Sequence, residues 1–150
     1  MKEIYMNEAI NEAKKSLVSN DVPVGCVIVK NNKIIGRGHN TRNRTNSTIA
    51  HAEINAISDA NSHLNNWVLE DCELYVTIEP CQMCTGAIIQ SRIKKIYFGA
   101  ADLKAGCVTS IYNLLDEKEF NHQVEYEYGI LEVECSKLIK DFFKKLRRFK

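Results

Sequence analysis

Four residues of this chain have the types and spacing to act together chemically. They are His51 and Glu53, separated by one alanine, and Cys81 and Cys84, separated by Gln82-Met83 and preceded by Pro80. One imidazole and two thiolates make a soft donor set suited to zinc. Structural zinc sites usually close with four protein ligands, whereas catalytic ones keep a position open for water. Two thiolates, a neutral imidazole and Zn²⁺ sum to zero charge, and water bound there ionises near neutral pH, its pKa falling from 15.7 to about 7. Glu53 is the acid placed to move that water's protons. A Glu working between such a water and a ring nitrogen suits hydrolytic removal of an amino group. A purely structural zinc would need a fourth ligand, for which Cys107 and His63 are the candidates.

These residues need elements that bring them together. Met6, Ala9, Ile10, Ala13 and Leu17 recur at helical spacing, so residues 4–19 are expected to form an amphipathic helix. Asn20-Asp21-Val22-Pro23 ends it. Residues 24–30 and 33–38 are β-rich runs flanking Asn31-Asn32, a tight hairpin turn. Residues 39–50 are polar and read as a loop. A helix is expected from Ala50 or His51 to Ser62, a strand over 73–77, and a helix from Pro80, at its first position, to Ser91. A strand over 95–99 completes a β-α-β crossover. A loop over 100–110, a short helix over 111–115 and a strand over 123–128 follow. Leu131, Cys135, Leu138, Phe142 and Leu146 then mark the stripe of a last helix.

Cys81 and Cys84, at i and i+3 in a first helical turn, share a face, near the positive end of that helix, which favours thiolates. His51 and Glu53 would point about 200° apart in mid-helix. They cooperate only if the ion and its water lie off the helix end, which is a demand on the fold. The pattern implies an α/β protein with a mixed sheet and helices on both faces.

Composition sets the class. The chain has 150 residues, 45% hydrophobic and 26% charged, which suits one globular domain over 1–150. No apolar run approaches the ~20 residues of a membrane span, and the N-terminus lacks the layout of a signal peptide, so a cytoplasmic location is expected. Cys26, Cys72, Cys107 and Cys135 read as buried free thiols. Residues 137–150 hold seven Lys or Arg against one acid, a charge of +6, and the other 136 residues therefore carry −5. A basic end on a slightly acidic body suggests a polyanion partner.

H-x-E followed by P-C-x-x-C in strand–helix context is the known signature of the zinc nucleobase deaminases. The chain resembles the bacterial TadA-type tRNA adenosine deaminases of the cytidine deaminase-like superfamily almost end to end. The likeness includes Asp21-Val22-Pro23-Val24-Gly25, His39-Asn40, Ala50 to Glu53, Leu74 to Cys81, and Cys84 to Arg92. It continues through the loop containing Asp102, Lys104 and Gly106, Phe120-Asn121-His122, and Phe142-Phe143 with the basic tail. It departs at Thr48-Ile49-Ala50, where the family usually reads Pro-Thr-Ala, and at Thr109, usually a Gly.

The resemblance implies a three-layer α/β/α sandwich with a mixed five-stranded sheet, a homodimer, and one Zn²⁺ per subunit held by His51, Cys81 and Cys84. It implies conversion of the wobble adenosine of a tRNA anticodon stem-loop to inosine, with Glu53 as proton shuttle. Asn40, Asp102, Lys104 and Asn121 would bind the nucleotides, and the basic tail would contact phosphate. The residues leave one enzymatic alternative, a deaminase of a free nucleobase or nucleoside such as guanine, cytosine or cytidine, which would have no use for the basic end. A zinc-stabilised RNA-binding module is a third reading, against which Glu53 speaks.

Overall fold

The computed structural model describes residues 1–148; Lys150, the last cation of the basic end, lies outside the described residues. Five strands form one sheet: β1 (Gly25–Lys30), β2 (Lys33–His39), β3 (Glu73–Ile78), β4 (Lys95–Ala100) and β5 (Glu125–Tyr128), in the order β2-β1-β3-β4-β5. β1 is antiparallel to β2 and β3, and β3, β4 and β5 run parallel. The sheet is therefore mixed, with the hairpin at one edge. Asn31 and Asn32 both take positive φ, 51° and 61°, as the two-residue turn requires.

Side-chain alternation along the strands builds a core on each face. Leu74, Val76, Ile96 and Phe98 point to one side, where α3 (Ala52–Leu64) and α4 (Gln82–Gln90) contribute Ala52, Ala56, Ile57, Ala60, Ile88 and Ile89. Tyr75 and Tyr97 point to the other, where α1 (Lys2–Lys15) contributes Tyr5, Met6, Ala9 and Ile10, and α5 (Glu132–Arg148) contributes Cys135. This is the expected three-layer α/β/α arrangement.

Several boundaries differ from the sequence-based expectations, each for a local reason. The first helix ends at Lys15 and tightens into a 3₁₀ turn, Ser16–Ser19, before left-handed Asn20 reverses the chain. The expected loop over 39–50 contains a helical turn, α2 (Arg42–Thr45), closed by Thr45 bonding back to the Thr41 carbonyl through both N–H and hydroxyl. The short helix expected over 111–115 is a 3₁₀ turn at Leu114–Asp116. Leu131 lies outside the last helix, with φ +51°. Pro80, expected inside a helix, precedes its N-cap Cys81; the Pro80 carbonyl instead accepts the Cys107 N–H at 2.9 Å.

α3 reaches the site by packing tightly on β2. A Cβ added at Gly38 would collide with the Ala52 carbonyl and the Ala56 amide of α3. Gly38→Ala is therefore expected to cost about 1–3 kcal/mol and to lower zinc occupancy, because it pushes the first turn of α3 away from the sheet. Urea unfolding and metal content of the variant check both parts.

Candidate active site

His51 and Cys81 hold equivalent places in the fold. Each is the N-cap of its helix, α3 or α4, with extended backbone at φ −76°, ψ 158° and φ −77°, ψ −179° respectively. An extended N-cap swings its side chain off the helix axis, so the two helix starts converge instead of running past each other. Cys84, one turn into α4, completes the group and is fully buried. Among the described residues, His51, Cys81 and Cys84 form the one group of three side chains that could hold a metal ion, with their ligand atoms all within 4.8 Å of one another.

The spacing fits a tetrahedral ion. Bonds of about 2.3 Å to sulfur and 2.0–2.1 Å to nitrogen place N and S about 3.5 Å apart. His51 Nδ1 lies 3.6 Å from Cys81 Sγ and 3.4 Å from Cys84 Sγ. Neither candidate fourth ligand joins the group. Cys107 Sγ faces the Ala105 carbonyl at 3.5 Å, and His63 lies in the last turn of α3. Three ligands and no fourth is the pattern of a site that keeps one position for a reacting molecule.

The electrostatics favour the thiolate at Cys81. The proton of Cys84 bonds to Cys81, whose pKa falls to about 4; His51 adds to the effect against the cost of burial. The same shared proton, with burial, raises Cys84. The hydrogen bond with Cys81 raises His51, against desolvation. Ligation through Nδ1 leaves the His51 proton on Nε2. Arg42 Nη1 lies 3.3 Å from Nε2, a contact that needs the opposite tautomer. Arg42 is exposed, so solvent can take its N–H when Nε2 carries the proton.

Glu53 is the second residue of α3 and only 3% exposed. Burial raises its carboxyl to about 7; the backbone N–H of Glu53 itself and the charge of His51 partly offset this. The pair is therefore not a mid-helix one. His51 stands at the cap and Glu53 just inside, and both line the same cavity of about 790 Å³.

Three further stretches contribute to the walls of this cavity. Asn40 and Arg42 follow β2. Asn40 is buried, donating Nδ2 to the Val22 carbonyl at 3.2 Å and accepting the Arg42 N–H on Oδ1 at 3.1 Å. It is a turn former, yet its amide keeps one N–H and one lone pair for a ligand. Asp21, 1% exposed, accepts the Asn43 and Arg44 amides and so anchors the helical turn beside Asn40. The second wall is residues 101–105. The Asp102 carboxylate there accepts the Lys104 and Ala105 amides at 3.1 and 3.2 Å. Asp102 and Lys104 line the cavity but form no ion pair with each other, so they are not a surface pair. The third wall is a stripe of α5, Ser136, Ile139, Lys140, Phe143 and Arg147, at the spacing that puts residues on one helix face.

Not all the expected residues converge. Asn121 is exposed and lies outside the cavity lining. Of the described cations at the basic end, Lys140 and Arg147 face the cavity, whereas Lys137 pairs with Asp141 at 2.6 Å. Cys26, Cys72, Cys107 and Cys135 are buried free thiols, as expected.

One residue carries more structure than its sequence position suggests. Glu79 ends β3's extension, is 2% exposed, and accepts five hydrogen bonds from residues 102–110. Burial works to raise its carboxyl, but these bonds outweigh burial and hold it below the ordinary value. A string of donors more than 20 positions away leaves no periodicity for sequence reading to find. The signals were its place in the family-like stretch Leu74 to Cys81, and Gly106, where an added Cβ would overlap the Glu79 carboxylate.

Comparison with known proteins places this geometry. A family model described as MafB19-like deaminase matches residues 1–147. A tRNA-specific adenosine deaminase of Bacillus subtilis (strain 168) is 49% identical over 148 residues, 99% of this chain and 92% of the relative. One of Aquifex aeolicus (strain VF5) is 49% identical over 146 residues, 97% of this chain and 96% of the relative. A structure from a study of A-to-I editing by tRNA:A34 deaminases at the wobble position of transfer RNA superposes with a TM-score of 0.87 at 35% identity, covering 90% of this chain and 98% of that one. A guanine deaminase from Nitrosomonas europaea superposes at 0.81, covering 93% of this chain and 83% of that one, but at 22% identity it shares the fold alone. With near-complete coverage at close to half identity, and with the His/Cys/Cys group and its neighbouring carboxylate in one cavity, the chain belongs to the tRNA-specific adenosine deaminases.

Proposed function

We propose that this protein hydrolyses the wobble adenosine of a tRNA anticodon stem-loop to inosine, releasing ammonia. The observation that carries the reading is the juxtaposition of a buried Glu53 with a three-ligand His51/Cys81/Cys84 group in a cavity flanked by the cations of α5.

His51 Nδ1, Cys81 Sγ and Cys84 Sγ would hold one Zn²⁺, with the thiols deprotonated and the imidazole neutral. A bound Zn²⁺ supplies an acidified water as nucleophile. Glu53 takes a proton from the attacking water and delivers it to the ring nitrogen beside the carbon under attack. It then carries the second proton to the departing amine. A carboxyl raised to about 7 by burial can both accept and give near neutral pH. Asn40, with one donor and one acceptor unspent, orients the base. Asp102 and Lys104 form part of the wall against which the neighbouring nucleotides lie, and Lys140 and Arg147 meet phosphates.

An anticodon loop presents unpaired bases, so extruding one into the cavity is cheap. Asn121 serves this site only if RNA or a second copy of the chain reaches it. A homodimer and a cytoplasmic location accompany the family reading, and among the described residues no helix is long and apolar enough to cross a membrane.

The test is a parallel incubation with an anticodon stem-loop carrying wobble adenosine and with free adenosine, cytidine, cytosine and guanine. Inosine only in the RNA is the expected result; ammonia from a free base and none from RNA overturns the reading.

The α5 stripe makes a second, directional expectation. Lys140→Ala with Arg147→Ala should weaken RNA binding and flatten its dependence on salt by about 0.7 in log–log slope per lost phosphate contact. Lys144→Ala with Lys145→Ala, outside the cavity lining, should do less. Binding titrations across a range of salt concentrations compare the pairs.

A further inference from the structure

Glu79 lies at the cavity, two residues before a metal-binding cysteine, yet no step above uses it. Its carboxylate is fully engaged. Oε1 accepts the Asp102 N–H at 3.1 Å and the Ser110 hydroxyl at 2.5 Å. Oε2 accepts three successive amides, Val108 at 3.1 Å, Thr109 at 2.9 Å and Ser110 at 3.0 Å. Two carboxylate oxygens offer about four lone-pair directions, so no capacity is left for a substrate.

The donors sit at both ends of one loop. Asp102 opens the wall segment containing Leu103, Lys104 and Ala105; residues 108–110 close it. Between them Gly106 lies against the carboxylate, where any Cβ would displace it. Cys107 and Val108 are buried and anchor the middle of the loop, but the wall segment before them has little else to hold it. Leu103 is 82% exposed, and the wall segment's own turn is made by Asp102 bonding to the two amides that follow. Glu79 is fixed in turn by its own N–H, which donates to the Ala100 carbonyl at 2.8 Å, and by the Pro80 carbonyl next to it, which takes the Cys107 N–H. The loop is thus hung on the chain segment that leads into Cys81.

We propose that Glu79 is a positioning residue that sets RNA affinity: it pins the loop of residues 102–110 as the cavity wall beside the reacting base, without contacting substrate. The proposal rests on the reading that RNA is the substrate, and its consequence is selective. Loosening the loop impairs capture of the nucleotides around the target and leaves Glu53 and the metal ligands in place. KM for the stem-loop therefore rises while kcat changes little.

The experiment has two arms on the zinc-loaded protein. In the first, hydrogen exchange is followed at the Asp102, Val108, Thr109 and Ser110 amides in wild type and Glu79→Gln. An amide side chain offers one acceptor oxygen in place of two and turns a donor toward donors, so these amides should exchange at least about 10-fold faster, while the amides of α3 keep their protection. In the second arm, KM for the stem-loop should rise about 10-fold with kcat within about 3-fold and zinc content unchanged. Ser110→Ala removes one of the five bonds and should move both readouts the same way by less; it keeps the test available if Glu79→Gln does not fold. Glu79→Asp keeps the charge but shortens the reach, and should fall between wild type and Glu79→Gln. Unchanged exchange at those four amides overturns the proposal. So does an unchanged KM beside faster exchange, or a loss of zinc. A wild-type protein that turns over no RNA refutes the functional reading instead, and the exchange arm still decides whether Glu79 holds the loop.

Discussion

Glu53→Gln is expected to lower turnover of the stem-loop by at least about 10²–10⁴-fold while leaving the metal content of the protein at its wild-type level. That range is the usual worth of a positioned general acid or base. Here one group is asked to serve at both ends of the reaction, receiving a proton from water and giving protons to ring and amine. The amide matches the carboxylate in size, so the cavity keeps its shape. It also lacks the charge that burial opposes, so the thermal midpoint should be equal or higher. Kinetics, metal analysis and thermal unfolding on one preparation check the three parts together. A Glu53→Gln protein that loses its zinc would show that Glu53 acts as a ligand and not as a shuttle.

Cys84→Ser should have an effect of comparable size by a different route. Cys84 is fully buried, with its Sγ 3.4 Å from His51 Nδ1. A serine hydroxyl there does not ionise at neutral pH and lies on a shorter bond. Zinc affinity is expected to fall well beyond the ~10–100-fold that follows loss of an outer supporting hydrogen bond, and activity with it. Stability falls too, because an ion that binds only the folded chain stabilises it by mass action. Removing zinc from the wild type with a chelator should reproduce the lower thermal midpoint, and adding zinc back should restore the wild type but not Cys84→Ser. A Cys84→Ser protein with full zinc and wild-type stability would contradict the assignment of Cys84 as a ligand.

What could be read from the sequence divides along physical lines. The His/Cys/Cys group was legible because metal-ligand chemistry restricts residue types severely. His51, Cys81 and Cys84 carry their meaning wherever the chain puts them, and two helix starts were enough to bring them together. Helices on both faces of the sheet were legible from the order of elements, and the continuous apolar run Leu74, Tyr75 and Val76 supplies side chains to both cores in turn. Element ends were less so. Pro80 fits the first turn of a helix by its φ, but Cys81 must stay extended to aim at His51, and that tertiary demand keeps Pro80 outside.

The loops were the least legible. Asp102 and Lys104 suggested nucleotide contacts by resemblance; the structure shows that the Asp102 carboxylate also makes a turn. Asn121 came by the same route and is exposed away from the cavity. Glu79 offered no pattern, since its partners lie 23 to 31 positions along the chain. The direction of the basic end was also hidden. Charge counting marks seven cations, but only helical phase tells that Lys140 and Arg147 share the cavity-facing stripe with Phe143.

The most direct test of hydrolysis at this site uses water labelled with heavy oxygen. The zinc-loaded protein is incubated in it with the wobble-adenosine stem-loop, the RNA is digested to nucleosides, and the inosine is weighed by mass spectrometry. The expected result is inosine at the wobble position carrying the heavy oxygen on its six-membered ring, formed by wild type and not by Glu53→Gln. Inosine without the label, or labelled inosine formed equally by Glu53→Gln, would contradict water attack assisted by Glu53.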